Sequence, residues 1–211
     1  MSQNISDTSA RDTESRILHA AEREFMKKGF AGARTTSIAE AAEVTHAMLH
    51  YYFRTKDKLF NRIITEKIAM VKDLLLKSVD DMNLSLEGMI YSIISHHLDF
   101  IAANPDLPRF IMTELFANPK RAVSFLYTFK KFSSEITASL QEKIDSESAE
   151  GKCRRTDARM LMLDIASLNI FPYISSPAVN VFLGNGMADS ERFLAMRKKE
   201  NYDTIMRKLK P

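Results

Sequence analysis

Thr35-Thr36-Ser37-Ile38-Ala39-Glu40-Ala41-Ala42-Glu43-Val44-Thr45-His46-Ala47-Met48-Leu49-His50-Tyr51-Tyr52-Phe53-Arg54-Thr55-Lys56 is the stretch that decides the fold. Ile38, Ala39 and Ala42 fall at helical spacing, Val44 lies in a turn, and Leu49 and Phe53 repeat four apart, so two short helices share one small apolar seam. Ala39 and Ala42 are small enough to let the helices approach closely. Thr45 suits the N-cap of a second helix starting at His46, because its hydroxyl can accept an orphan backbone N–H. That helix presents Thr45, His46, Ala47, Met48, His50, Tyr51 and Tyr52, which are short, polar or aromatic, and no carboxylate lies between Val44 and Phe53. Arg54, Lys56, Lys58 and Arg62 follow against the single acid Asp57, a local charge of +3. Base-reading groups on the N-terminal half of a short helix, with phosphate-gripping groups around it, predict a DNA-binding helix-turn-helix.

Gly29-Phe30, Ile38-Ala39, Ala42, Val44-Thr45, Leu49, Tyr52-Phe53, Lys56-Asp57 and Leu59 together resemble the N-terminal pattern of the TetR/AcrR family of one-component transcriptional regulators, over about residues 16–60. The sequence departs from that pattern at two places. Glu43 stands where a turn glycine is usual, so the turn avoids or tolerates a positive φ, at a cost on the order of 1 kcal/mol for a non-glycine residue. His50 stands where a tyrosine is usual and changes the chemistry offered to DNA.

Working outward, a first helix is expected over about Thr13 to Lys28 with Gly29 as its stop, bracing the reading head through Ile17, Ala20, Ala21 and Phe25. Arg34, Thr35 and Thr36 begin the next helix, where the resemblance implies backbone phosphate contact; Thr35 or Thr36 as a plain helix cap is the alternative. A long amphipathic helix is expected from Lys56 to about Asp80, and the resemblance implies that Lys56 holds a phosphate at its start. Further helices are expected over Leu86 to Ala103, Leu107 to Phe116, Ala122 to Ser146, Asp157 to Tyr173 and Asp189 to Lys208, with a break at Asn83-Leu84-Ser85. Residues 146–152 read as a solvated loop. Val123, Leu126, Phe129, Phe132, Ile136 and Leu140 take core spacing in the long helix. The fold class is all-α: a flexible tail over 1–12, a helix-turn-helix DNA-binding domain over 13–56, and a helical effector-binding and dimerisation domain over 57–211.

Composition agrees with a folded helical chain, since 45% of the 211 residues are hydrophobic and only 6 Gly and 6 Pro occur. The net charge of +3 is spread unevenly: +3 over residues 1–77, −5 over 78–151 and +5 over 152–211, so DNA contact is expected at the N-terminal end. The polar first dozen residues lack the apolar core of a secretion signal, and the one cysteine, Cys153, cannot make an internal disulfide; both point to the cytoplasm. Lys152, Arg154 and Arg155 keep open a redox-sensitive Cys153 beside the default of an inert thiol. Residues 165–188 carry no charge, yet Pro172, Pro177, Gly184 and several Asn and Ser interrupt them, so a buried helix followed by a loop is expected rather than a membrane span.

His46 and His50 are four apart, but no third ligand lies on that face, so base or phosphate contact is preferred to a metal. His96 and His97 point about 100° apart on a helix and read as core or surface side chains. The family resemblance implies a bundle that encloses a small effector and pairs its last two helices with a second subunit, through Met160 to Tyr173 and Phe193 to Leu209. Phe100, Phe110, Tyr127 and Phe171 are its candidate apolar contacts and Glu114 its polar one, with plain core packing as the alternative. No Gly-rich phosphate loop, zinc motif or nucleophile elbow occurs, so an enzyme is not expected and no cofactor or metal is called for. The resemblance implies a homodimeric repressor released from a double-stranded DNA operator by a small molecule. An activator of the same fold, or a helical interaction module with a vestigial reading head, is the alternative.

Overall fold

The computed structural model describes the backbone of residues 2–79 and 84–211, and side chains from residue 11 onward within those ranges except Arg121, Ser124, Thr128, Lys131 and Phe132. The regular elements among the described residues are all α-helices: α1 (Ser2–Gly32), α2 (Thr35–Ala41), α3 (His46–Tyr52), α4 (Lys56–Val79), α5 (Leu86–Ala103), α6 (Leu107–Ala117), α7 (Pro119–Ala149), α8 (Ala158–Ile174), α9 (Ser176–Phe182) and α10 (Ser190–Leu209). They fall into two compact units, Met1–Ile68 and Ala69–Pro211.

In the first unit α1 breaks at Gly29, whose φ of 68° lies in the left-handed region, and one further turn follows it. The helix begins well ahead of Thr13, so the backbone of residues 2–12 is helical where a flexible tail is expected. No Gly or Pro interrupts the chain before Gly29. Ile17, Ala20, Ala21 and Phe25 of α1 are buried, as are Ile38 and Ala39 of α2, Leu49 of α3 and Leu59 and Ile63 of α4, and α1 packs on α2, the bracing role that the spacing predicts. Phe25, Phe30 and Phe60 form a cluster with ring centroids 5.2 to 5.8 Å apart. Lys67 to Glu22 at 2.8 Å and Arg62 to Glu14 at 3.6 Å tie α4 to α1 from outside.

In the second unit α5 is the central helix, with Leu86, Met89, Ile90, Ile93, Ile94, Leu98 and Ile101 all buried. A chain of polar side chains crosses this core. His97 Nδ1 meets Asn169 Nδ2 at 3.2 Å, Asn201 Nδ2 donates to Asn169 Oδ1 at 2.7 Å, and Arg197 Nη2 donates to Asn201 Oδ1. Asn169 and Asn201 are almost wholly buried, so these bonds replace lost water. His97 is half-buried by area, yet dehydration of its ring holds its pKa down to about 4. Its neighbour His96 instead meets buried Ser78 at 2.7 Å, so the two rings diverge as the helical spacing requires.

Three expectations need correction. Helix α7 starts at Pro119 and continues through residues 146–149, which were expected in a loop; proline is well suited to a first helical turn, and Asn118 Oδ1 accepts Lys120 N at 3.0 Å. Val123, Leu126 and Phe129 are exposed rather than core, whereas Ile136, Leu140 and Ile144 are buried. Among the described residues the buried positions of this 31-residue helix lie in its C-terminal half. Residues 176–182, expected in a loop, form α9, again with proline in the first turn. The expected end of α4 near Asp80, the Asn83 part of the break, and Phe132 lie outside the described residues.

No helix among the described residues is long and apolar enough to cross a membrane. Pro172 sits in the last turns of α8 and cannot donate to the Leu168 carbonyl four residues earlier; Arg197 Nη2 takes that carbonyl instead, at 3.0 Å. Cys153 is buried with Sγ 3.7 Å from the Ile144 carbonyl, and burial pushes its pKa up. The neighbouring cations therefore do not activate it, against the redox-sensitive alternative.

Candidate nucleic-acid interface

Helix α2 ends in a Schellman turn. Val44 N donates to Ala39 O and Glu43 N to Glu40 O, both at 3.0 Å, and Glu43 takes the left-handed position at φ 54°. The positive φ is thus tolerated by a non-glycine residue rather than avoided. The next residue but one, Thr45, caps α3 as its position predicts: its hydroxyl accepts Met48 N at 3.1 Å. With Ile38, Ala39, Ala42 and Leu49 buried in the seam, α3 turns its other face to solvent.

That face carries the side chains selected from the sequence. Thr45, His46, Ala47 and His50 are exposed, Met48 is 45% and Tyr51 72% exposed, and Tyr52 is half-buried. The edge is not packed against the protein's own first unit, so it is open to a groove. The His46 and His50 rings stand edge to face at 4.9 Å, and Tyr51 meets Tyr52 in the same manner at 5.5 Å. Among the described residues no group of three or more His, Cys, Asp or Glu side chains is placed to hold a metal ion.

Three contacts were not legible in the sequence. His46 Nε2 is hydrogen-bonded to Thr35 Oγ1 at 3.0 Å, which pins the first residue of α2 to the first residue of α3. Arg34, not a threonine, occupies the cap position of α2, and no side chain caps it; Thr35 is used laterally and Thr36 is exposed. The Arg34 N–H is already engaged by Glu24 Oε1 at 3.3 Å, a carboxylate held below its ordinary pKa first by its hydrogen bond from Lys28. This removes Arg34 N from the free donors expected there and leaves its exposed guanidinium. Lys56 is also engaged: its Nζ donates to Ala33 O at 2.7 Å and lies 4.6 Å from the centre of the Phe30 ring. Its first role is to clamp the end of α1 onto α4. Arg54 and Lys58, exposed on either side, are the freer cations, whereas Arg62 is paired with Glu66 at 2.6 Å.

The five candidate effector residues differ in burial. Phe100, Phe110 and Glu114 are buried, but Tyr127 is 76% and Phe171 64% exposed. Among the described residues the second unit has a cleft of about 530 Å³ beside Gln141 and Arg155 and another of about 630 Å³ beside Phe171 and Arg197. Of the five, only Phe171 lines either.

Residues 17–63, covering the core of the first unit, match the profile described as "Bacterial regulatory proteins, tetR family". A stretch of 102 residues, 48% of the chain, is 32% identical to the HTH-type transcriptional repressor SCO4008 of Streptomyces coelicolor; it spans about half, 49%, of that relative. Over 183 residues the chain is 26% identical to the HTH-type transcriptional repressor NicS of Pseudomonas putida, covering 85% of the chain and 84% of the relative. In fold it is similar to the transcriptional regulator FadR of Bacillus subtilis, whose structure was determined in complex with stearoyl-CoA, with a TM-score of 0.69, 16% identity, and coverage of 90% and 96%.

Proposed function

We propose that this chain, whose residues 17–63 match the model of the tetR family of bacterial regulatory proteins, is a homodimeric one-component transcriptional regulator of that family, a repressor that leaves its operator when a small effector binds. The observation that carries this reading is the solvent-facing edge of α3: His46, Ala47, Met48, His50 and Tyr51 are exposed on a helix fixed by a threonine cap and by the Thr35–His46 bond. An edge of this kind can meet base edges through imidazole, methyl and thioether groups, while Arg34, Thr36, Arg54 and Lys58 reach phosphates. Its place of action is the cytoplasm, where its DNA is. The names of the two relatives, both repressors, support repression over activation.

A single short helix contacts few base pairs, and a two-fold partner doubles the site. Helices α8 and α10 are the proposed seam, with Met160 and Leu163 exposed along α8. Release by an effector requires that it bind more tightly to the arrangement that does not fit DNA. The test is footprinting of the purified chain on DNA flanking its own gene, at several salt concentrations. Protection of two half-sites about one helical turn apart is expected. Replacing His50 or Met48 by Ala should change base preference. Absence of protection at low salt, or protection untouched by either substitution, refutes the reading.

A further inference from the structure

Under the function proposed above α3 reads base edges, yet it carries few directional groups. Between Val44 and Phe53 the sequence has no Arg, Lys, Asn, Gln, Asp or Glu, the side chains that ordinarily tell bases apart through paired hydrogen bonds or a carboxylate. The Thr45 hydroxyl is engaged by its own cap, accepting Met48 N at 3.1 Å. Directional contact therefore falls to the rings of His46 and His50 and the hydroxyls of Tyr51 and Tyr52.

Of these groups His46 is held by a neighbouring helix. Its Nε2 is hydrogen-bonded to Thr35 Oγ1 at 3.0 Å, and the His50 ring stands edge to face against it at 4.9 Å. Thr35 is half-buried at the start of α2, whose Ile38 and Ala39 lie in the core and whose preceding N–H, on Arg34, is taken by Glu24 of α1. A bond between two helices that are each fixed in the core orders the imidazole before DNA arrives, so binding does not have to order it. It also divides the ring nitrogens, because a hydrogen bond at one sets the role of the other. A neutral histidine in water carries its proton mainly on Nε2, and a threonine oxygen can accept that proton while keeping its own O–H. Nδ1 is then a bare acceptor, with no partner among the described residues.

We propose that Thr35 positions His46 for base readout: Thr35 Oγ1 holds Nε2–H, and Nδ1 accepts from an exocyclic amino group in the major groove, N6 of adenine or N4 of cytosine. Guanine O6 and thymine O4 are acceptors, and either would set lone pair against lone pair. This inference rests on the operator reading and goes beyond it, since a threonine that the family resemblance assigns to a phosphate acts here through a histidine.

Two measurements test it. Nitrogen-15 NMR of the full-length chain without DNA, at about pH 8 where an imidazole is ordinarily neutral, should place the His46 proton on Nε2, and Thr35→Val should let it redistribute between the two nitrogens. Selection of bound duplexes from a randomised pool should show, at the position of each half-site that His46→Ala renders indifferent, adenine or cytosine favoured about fivefold over guanine or thymine, the effect of one net hydrogen bond. Thr35→Val should narrow that preference to within about twofold while affinity for unselected DNA stays within about twofold of the parent, which also reports that the variant is folded. Thr35→Ser keeps the hydroxyl and should preserve the preference. In a His46→Ala background Thr35→Val should change nothing further. Guanine or thymine preferred at that position, a uniform loss over all sequences in Thr35→Val, additive effects of the two substitutions, or a His46 proton on Nδ1 in the parent would each overturn the proposal and leave the operator reading standing. Binding to no duplex at low salt would overturn both.

Discussion

Glu43→Gly should stabilise the first unit even though it removes a side chain. A left-handed conformation costs an L-residue roughly 1–2 kcal/mol, and Glu43 pays that at φ 54° to close the Schellman turn. Glycine removes the strain but returns about 0.4–1 kcal/mol through the greater freedom of its unfolded chain. Among the described residues the ion pair lost is with Arg16 at 3.9 Å, between exposed side chains, and is worth about a few tenths of a kcal/mol, the low end for surface pairs. Taken at the middle of each range, the net gain is about 0.5 kcal/mol. Glu43→Ala loses the same carboxylate and keeps the strained φ, so its stability should be unchanged or slightly lower. The pair thus separates backbone strain from charge. Urea unfolding followed by far-ultraviolet circular dichroism, with the two variants beside the parent, is the assay. An alanine variant as stable as the glycine variant, or a glycine variant less stable than the parent, would refute the strain argument.

Two further outcomes follow from the contacts described. Lys56→Ala should lower stability by about 1–2 kcal/mol, because it leaves the Ala33 carbonyl without its donor, whereas Lys58→Ala should leave stability unchanged and reduce the dependence of DNA affinity on salt; thermal melts and binding at graded salt check both. His97, with its pKa lowered to about 4 by dehydration, binds a proton less readily when folded than when unfolded, so stability should fall as pH drops from about 6.5 towards 4, by at most about 3 kcal/mol, and His97→Gln should flatten that part of the urea-midpoint profile.

The boundaries of most helices were legible because their causes are local. The Thr45 cap bonds a residue three positions away, the Gly29 break needs only its own φ, and Asn104-Pro105 ends α5 close to where it was read. The contacts that escaped the sequence are those set by tertiary packing. Lys56 reaches a carbonyl 23 positions back and Thr35 a ring 11 positions on, and no periodicity encodes either. Val123, Leu126 and Phe129 keep the spacing of a core stripe while lying outside the core, since spacing fixes which residues share a face and not whether anything covers it. The same limit applies to the effector candidates: aromatic content marked Tyr127 and Phe171 as readily as Phe100 and Phe110, and only the fold separates them.

The arginine that satisfies the carbonyl left open by Pro172 has a mechanical consequence. Sliding α10 by one residue along α8 would carry the guanidinium about 1.5 Å and swing it about 100° away from Leu168, stranding both that oxygen and Asn201. These two helices are therefore keyed in a single register, and any repacking by which the second unit answers a ligand must spare this pair and take its travel from other helices.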